Sequence, residues 1–309
     1  MTLTWLLKAR QKGLERELPK VNFLRSTRKL GRNIYAFTME QSRRSMRIVG
    51  RLREVSFRHA GGGTGKVKDI DAHDRHKTNP YTQLIVWDQQ DRQIVGGYRY
   101  QLWRNAPRDK QGNLDVSTTH YFNFSERFME AYAPYVIELG RSFVTPEYQA
   151  RNRKSIYSLD NLWDGLGTLI VMYPDMRYFF GKITLYPDKN PHSKPFIYAL
   201  LDKHFRDEEG LLTPKPKLAV DEKDHETLER LLKDVPDDIN KQLGFLGKYV
   251  IDHFKEQIPP LFSSYAKLSG KMKVFGTAVN KDFGNVEETA ILIPIKEIDP
   301  KMLERYTNF

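Results

Sequence analysis

The 309-residue chain contains no cysteine. That excludes a disulfide-stapled secreted module, a cysteine nucleophile and a cysteine-ligated metal. It also lacks any apolar run near the ~20 residues of a membrane span, and Trp5-Leu6-Leu7 is too short for the apolar core of a signal peptide. Zinc-finger spacing, an RNA-binding aromatic signature, a heptad pattern, internal repeats and low-complexity stretches are all missing. What remains is ordinary: at 39% hydrophobic and 12% aromatic residues the chain is too apolar for disorder, and its length supports one large or two modest cores. A cytoplasmic protein is expected, with a peripheral place on the inner membrane as an option.

Acidic residues are scarce at one end only. Residues 1–53 carry 14 Lys/Arg, from Lys8 and Arg10 to Arg51 and Arg53, against Glu15, Glu17 and Glu40. The rest of the chain is balanced, so the whole net charge of +11 is N-terminal. Nucleic acid, an acidic protein and an anionic membrane would each suit such a segment. Nucleic acid has only charge in its favour. A helix from Thr2 to Leu18 would align Leu3, Leu6, Leu7, Leu14 and Leu18 beside Lys8, Lys12 and Arg16, although Arg10 and Glu17 interrupt the stripe. A solvated basic arm over residues 1–32 is the plainer expectation.

Periodicity predicts a strand at Ile34–Phe37 and a helix from Gln41 to Phe57 with Met46, Val49, Leu52 and Val55 in line. After Gly61-Gly62-Gly63, the runs Tyr81–Trp87 and Gln93–Leu102 read as a hairpin. A helix near Ser125–Tyr132, a strand at Tyr135–Val144, a helix at Ser155–Met172 and a strand at Tyr178–Tyr186 follow. Residues 187–257, rich in charge, offer helices at Phe196–Phe205, Asp224–Leu232 and Asp237–Glu256 and read as a helical insertion. A closing hairpin at Met272–Val279 and Val286–Ile295 completes the pattern.

Three motifs invite readings that their details refuse. Gly61 to Lys66 lacks the first glycine and the magnesium-binding hydroxyl of a phosphate loop, so a flexible loop is expected. Asp282-Phe283-Gly284 has no accompanying kinase catalytic loop and reads as a hairpin turn. Gly140-Arg141-Ser142-Phe143 lacks the second glycine of a nucleophile elbow. The cluster Asp69, Asp71, His73, Asp74, His76 could hold a cation, shape a substrate or be a solvated loop, and it lacks the glycine and distant Glu of a calcium loop. No metal is expected.

The strand Val136-Ile137-Glu138-Leu139-Gly140-Arg141-Ser142-Phe143-Val144 places opposite charges in an apolar run. Buried charge persists only when paired or used. A self-satisfied pair of Glu138 with Arg141 or Arg99 is the structural alternative. Glu138 and Arg141 are three apart and would face opposite sides of a regular strand, so serving one site requires a bulge near Gly140.

At this point the chain resembles a known family. The run Ile94-Val95-Gly96-Gly97-Tyr98-Arg99, then Glu138-Leu139-Gly140-Arg141, Leu162-Trp163, Phe180-Gly181, Ile258-Pro259-Pro260-Leu261 and Asp282-Phe283-Gly284 is similar to the ornithine-lipid and glycine-lipid N-acyltransferases. These are bacterial relatives of the GNAT acetyltransferases and the acyl-homoserine-lactone synthases. Pro80-Tyr81-Thr82-Gln83-Leu84-Ile85-Val86-Trp87-Asp88 and Leu159-Asp160-Asn161-Leu162-Trp163-Asp164-Gly165-Leu166-Gly167 resemble the Bacteroidetes branch.

The resemblance implies an α/β (α+β) GNAT-like fold over residues 33–309: a mixed central sheet, flanking helices and the helical insertion at about 187–257. It implies transfer of a 3-hydroxyacyl group from acyl carrier protein to the α-amine of an amino acid, glycine or ornithine, in aminolipid synthesis, with no tightly bound cofactor. By the same resemblance Glu138 is the general base, and Arg99 and Arg141 organise the site. Arg53, Phe57, Asp71, Asp74 and Trp163 line the substrate. Acetyl-CoA enzymes of this fold have a glycine-rich pyrophosphate loop after their fourth strand, whereas Gln149-Ala150-Arg151-Asn152-Arg153-Lys154-Ser155 has no glycine and three cations. Arg151, Arg153 and Lys154 therefore suit the phosphopantetheine phosphate and an acidic carrier protein. The alternatives are an acyl-CoA-dependent GNAT enzyme, a synthase of a diffusible signal, and a non-enzymatic, basic, membrane-active protein of the kind labelled haemolysin.

Overall fold

The structure, a computed structural model, describes residues 11, 13–149, 155–218 and 222–309. In chain order the elements are β1 (Asn22–Ser26), β2 (Asn33–Phe37), α1 (Arg43–His59), β3 (Thr82–Asp88), β4 (Gln93–Leu102), β5 (Phe122–Phe124), α2 (Glu126–Ala131), β6 (Val136–Val144), α3 (Ser158–Met172) and β7 (Tyr178–Leu185). They continue with α4 (Lys194–Phe205), β8 (Leu212–Pro214), β9 (Lys217–Leu218), α5 (Glu222–Leu232), α6 (Ile239–Phe254), α7 (Pro260–Leu268), β10 (Lys273–Asn280), β11 (Val286–Pro294) and α8 (Pro300–Thr307). They fall into two compact units: one of residues up to Ser117 with Tyr135–Met176 and Leu303–Phe309, the other of Thr118–Pro134 and Arg177–Met302.

The first unit is built on five strands in the order β1-β2-β3-β4-β6, each antiparallel to its neighbour. β4 is buried along its whole length, as expected of a strand whose residues alternate between two covered faces. The register sets those faces. Gln83 stands opposite Arg99 and Leu84 opposite Tyr98, so the polar pair shares one face and the apolar pair the other. α3 covers the apolar face, where Gly165 lies so close that a Cβ would meet Tyr98 Oη at 2.7 Å and Leu84 Cδ2 at 2.8 Å. α1 begins at Ser42, whose hydroxyl caps Ser45 N–H at 3.1 Å, and packs against β6.

The N-terminal segment departs from the expected arm. Thr2 to Arg10 and Lys12 lie outside the described residues, and from Gly13 to Lys20 turns and a 3-10 turn replace the expected helix. Leu14, 0% exposed, and Leu18 are core residues, not part of a membrane-facing stripe. Gln11 Oε1 accepts Ile94 N–H at 2.8 Å, and Glu15 pairs with Arg92. β1 then adds an edge strand that periodicity did not reveal. Two cations of this segment are buried. Arg25 pairs with Asp164 at 2.9 Å, and Arg32 binds Asp88 and Asn161, both at 2.9 Å. The Leu159–Gly167 motif is therefore a clamp: Asn161 and Asp164 hold the N-terminal arginines, and Asp160 accepts Tyr306 Oη at 2.8 Å.

In the second unit four strands run in the order β7-β11-β10-β9, all antiparallel, and β5 pairs with β8. Phe128, Phe180 and Phe275 form an aromatic core with ring centroids 6.3–6.4 Å apart. Residues 187–257 are not purely helical. They contribute α4, α5 and α6 as expected, but also β8 and the edge strand β9, paired with β10 through Leu218↔Thr277. Asp282-Phe283-Gly284 forms the turn between β10 and β11, with Gly284 at φ +80°. No helix among the described residues is long and apolar enough to cross a membrane.

Replacing Asp164 with Ala leaves Arg25 buried without its carboxylate. The expected cost is about 3–5 kcal/mol, read by urea denaturation. A loss under about 1 kcal/mol would show that the Arg25 contact is incidental.

Candidate active site

Three arginines from three elements meet three aspartates from one loop. Arg53 lies on the buried face of α1, Arg99 on β4 and Arg141 on β6. The loop after α1 is laid against the helix at Gly50, whose carbonyl accepts Asp69 N–H at 2.8 Å and where a Cβ would lie 2.6 Å from Ile70 Cγ1. A side chain at position 50 would push Asp69 away.

Arg53 Nε meets Asp69 Oδ2 at 3.0 Å, and Arg53 Nη2 meets Asp74 Oδ2 at 3.3 Å. Arg99 Nη1 lies 2.7 Å from Asp71 Oδ2 and 3.0 Å from Asp74 Oδ1. Arg141 Nε lies 2.9 Å from Asp69 Oδ2, with Nη2 3.9 Å from Asp71. Arg53 Nε donates a hydrogen bond to Asp69 Oδ2, and the Arg99 and Arg141 approaches are close charge contacts. Gln83 ties the lattice to β3 by accepting from Arg53 Nη1 at 3.1 Å and donating to Asp74 Oδ1 at 3.0 Å. Asp71 and Asp74 cap each other's backbone N–H at 3.0–3.2 Å.

The electrostatics follow from this mutual satisfaction. Burial alone pushes Asp69 and Asp71 up, but Arg53, Arg141 and Arg99 around Asp69, and Arg99, Arg141 and Arg53 around Asp71, hold both below the usual 3.8. Burial likewise pulls Arg53 and Arg99 down, and the facing aspartates reverse it. His73 is pushed down by burial and stays neutral near pH 7.

The expected bulge is present one residue beyond Gly140. Gly97 faces Phe143 and Arg99 faces Gly140, so Arg141 and Ser142 stand opposite Tyr98 alone. Arg141 takes φ +52°, a conformation a side chain rarely adopts, and this turns its guanidinium toward the aspartates that Arg53 and Arg99 hold. Glu138, 1% exposed, joins the cluster through Tyr81. Tyr81 Oη donates to Glu138 Oε2 at 2.5 Å, while the Arg99 guanidinium lies over the Tyr81 ring at 4.4 Å. Trp103 Nε1 donates to the same oxygen at 2.9 Å, and Ser117 Oγ to Oε1 at 3.3 Å.

The structure thus brings together Glu138, Arg99, Arg141, Arg53, Asp71 and Asp74, with Phe57 buried one turn beyond Arg53. It does not bring in Trp163. That residue sits on α3, which covers the opposite face of the sheet, with its ring 6.3 Å from Tyr306. Arg151, Arg153 and Lys154 lie outside the described residues. The carboxylates weighed as metal ligands are taken up by guanidinium groups, and His76 Nδ1 accepts from the Asn79 N–H at 3.2 Å. The glycine-rich loop is organised around a carboxylate of the chain itself: Glu54 accepts from Thr64 N–H at 3.0 Å and Gly65 N–H at 2.9 Å. Sequence reasoning missed the roles of Asp69, Tyr81, Gln83, Trp103 and Ser117. The one available signal was a glutamine and a tyrosine at the start of an otherwise apolar strand.

Residues 52–159 match the model of a family described as an acetyltransferase (GNAT) domain, a span that contains the whole lattice and Glu138. This domain match within a mixed α/β architecture, together with two relatives at 44–45% identity, makes the protein an N-acyltransferase. The chain is 45% identical over 292 residues to a glycine Nα-acyltransferase of Phocaeicola vulgatus, covering 92% of this chain and 86% of the relative. It is 44% identical over 291 residues to one of Bacteroides thetaiotaomicron, covering 92% and 84%. The chain belongs to this glycine Nα-acyltransferase family, as its motifs suggested. Among solved structures, a CoA-dependent acyl-homoserine lactone synthase aligns over 89% of this chain and 88% of its own, at 13% identity and a TM-score of 0.42.

The depressed aspartates fix the sign of an acid dependence. A carboxylate with a lowered folded pKa contributes stability that is complete above its unfolded value near 4 and is lost as pH falls through the folded value. Unfolding free energy is therefore expected to drop between about pH 4 and pH 2, and Asp69→Asn is expected to lower stability at pH 7 and to flatten that drop. Parallel curves for the two proteins in urea titrations over that range would contradict this role of the lattice.

Proposed function

We propose that the enzyme transfers a 3-hydroxyacyl chain from the phosphopantetheine thiol of an acyl carrier protein to the α-amine of glycine, giving the monoacylated precursor of a membrane aminolipid. The observation that carries the acceptor is the 44–45% identity, over nine-tenths of the chain, to two enzymes named for glycine. An α-amine with a pKa of about 8 is largely protonated at neutral pH and must lose a proton before it attacks a thioester. Glu138 is the base of this reading. Arg53 and Arg99, each 1% exposed, are committed to the lattice, whereas Arg141 has 16% of its side chain exposed. Arg141 is therefore the guanidinium that meets the acceptor's carboxylate; Asp69 and Asp71 hold it, and Arg53, Arg99 and Asp74 complete the lattice that fixes those two aspartates. The amides of Arg141 and Ser142 lie outside the regular ladder and suit the oxyanion of the tetrahedral intermediate.

The carrier protein is preferred as donor because Arg151, Arg153 and Lys154 replace a glycine-rich diphosphate cradle with positive charge. Exposed Lys20, Arg28, Lys29, Arg43, Arg44 and Arg47 support a peripheral position on the anionic inner membrane, from the cytoplasmic side.

Purified enzyme given 3-hydroxyacyl carrier protein or 3-hydroxyacyl-CoA, with glycine, ornithine, lysine or serine, is expected by mass spectrometry to form N-acylglycine from the carrier-protein donor. A higher kcat/KM for another amino acid overturns the acceptor, and equal use of the CoA thioester overturns the donor. Glu138→Gln is expected to lose at least about 100-fold in kcat with its melting cooperative, and unchanged turnover would remove it from the chemistry.

Joint replacement of Arg151, Arg153 and Lys154 by Ala is expected to raise KM for the carrier protein several-fold and weaken its salt dependence. A change confined to the amino-acid KM contradicts the docking role.

A further inference from the structure

Glu138 is 1% exposed, so an amine reaching it directly would have to leave water for the interior of the sheet. Its carboxylate is nevertheless closely addressed. Oε2 accepts from Tyr81 Oη at 2.5 Å and Trp103 Nε1 at 2.9 Å, and both donors are 1% exposed. Oε1 accepts from Ser117 Oγ at 3.3 Å, and Ser117 is only half-buried. The Ser117 backbone N–H also donates to Tyr81 Oη at 3.2 Å, so one residue touches both members of the tyrosine–glutamate pair.

The three donors differ in what they can pass on. An indole N–H only donates. The Tyr81 phenol keeps its proton, because burial and the neighbouring Glu138 push it well above its usual range. A serine hydroxyl accepts and donates at once.

We propose that Ser117 is a catalytic proton relay: its hydroxyl meets the acceptor amine and hands the amine's proton to Glu138. The inference rests on the reading of Glu138 as base. One N–H bond of the ammonium breaks as Ser117 Oγ takes its proton, while the Ser117 O–H proton moves to Glu138 Oε1. Serine is unchanged, glutamate becomes the acid, and the amine lone pair forms the new C–N bond at the thioester carbonyl. When the C–S bond breaks, the departing thiolate takes the proton back from Glu138 by the same route. The second amine proton leaves to solvent, and the third remains on the amide. Tyr81 and Trp103 act as positioning residues, holding Oε2 so that Oε1 faces Ser117.

The test measures kcat and KM across pH for the wild type, Ser117→Ala, Ser117→Thr and Glu138→Gln, with thermal melts of each. Ser117→Ala is expected to lower kcat about tenfold or more, a water in the vacated space supplying part of the transfer. KM for both substrates is expected to stay within about twofold, since the hydroxyl acts on the proton and not on binding. The deficit narrows as pH rises and the amine arrives already deprotonated, and Ser117→Thr, which keeps the hydroxyl, recovers most of the rate. Ser117→Gly repeats the measurement if the Ala variant melts early. Wild-type kcat in Ser117→Ala with an inactive Glu138→Gln leaves the base standing and overturns the relay. An active Glu138→Gln overturns both. A raised KM at unchanged kcat, or a Ser117→Thr variant as slow as Ser117→Ala, also overturns the relay.

Discussion

The six-membered lattice of Arg53, Arg99 and Arg141 with Asp69, Asp71 and Asp74 is the constraint on which the first unit depends. Taking an isolated ion out of water costs several kcal/mol, and a single pair recovers that only with good geometry. Sharing solves the problem. Asp69 contacts Arg53 and Arg141, Asp71 contacts Arg99 and Arg141, and Asp74 contacts Arg53 and Arg99. Each carboxylate thus bridges two guanidiniums and no charge depends on one neighbour. Because the arginines come from a helix and two strands, and the aspartates from one loop, the lattice fixes four segments relative to one another.

The same sharing limits what the arginines can do. Arg53 and Arg99, each 1% exposed, have no open side for an incoming anion and serve as framework, whereas Arg141, although it too meets two carboxylates, keeps 16% of its side chain exposed. The proposed reaction uses the lattice margin, where Arg141 reaches solvent at the bulge and Glu138 accepts from Tyr81. Tyr81, Trp103 and Ser117 donate to Glu138, and the first two are too deeply buried to exchange protons with water. Rigidity in the framework and a carboxylate with one half-open side are what a proton-transfer site requires.

Much of this was legible in the chain. The hairpin of β3 and β4 follows from alternation, and the three-residue spacing of Glu138 and Arg141 demanded a bulge, which appears at Arg141 and Ser142. What stayed hidden depends on distance in the sequence. Tyr81 reads as an ordinary strand residue until Glu138, 57 positions on, is set against it. Asp69 reads as a metal ligand until Arg53 and Arg141 reach it from either side. Trp163 follows the complementary logic: its motif is distinctive because Asn161, Asp164 and Gly165 hold the N-terminal turn and the sheet, and a motif distinctive for packing carries no information about where chemistry occurs. β1 escaped notice because its Arg25 looks like surface charge, and β9 because two residues are too few for a period.

Counting charge along the sequence misleads in the same way. The segment 1–53 holds the entire net charge of +11, which suggests a uniformly basic arm. In space, Arg25, Arg32 and Arg53 are turned inward and neutralised by Asp164, Asp88, Asp69 and Asp74, carboxylates that the linear count assigns to the balanced remainder. The rest of the chain therefore spends part of its negative charge inside, and its own surface is more basic than its composition suggests. Among the described residues, the exposed surplus lies on Arg16, the turn at Arg28 and Lys29, and the outer face of α1 at Arg43, Arg44 and Arg47, while Lys20 pairs with Glu17. α1 opens with two of those arginines and no acid, against the preference of a helix N-terminus for negative charge, so local helix stability does not account for their placement. Their charges add to the summed surface field of the protein, which is indifferent to a few tenths of a kcal/mol lost at one helix end.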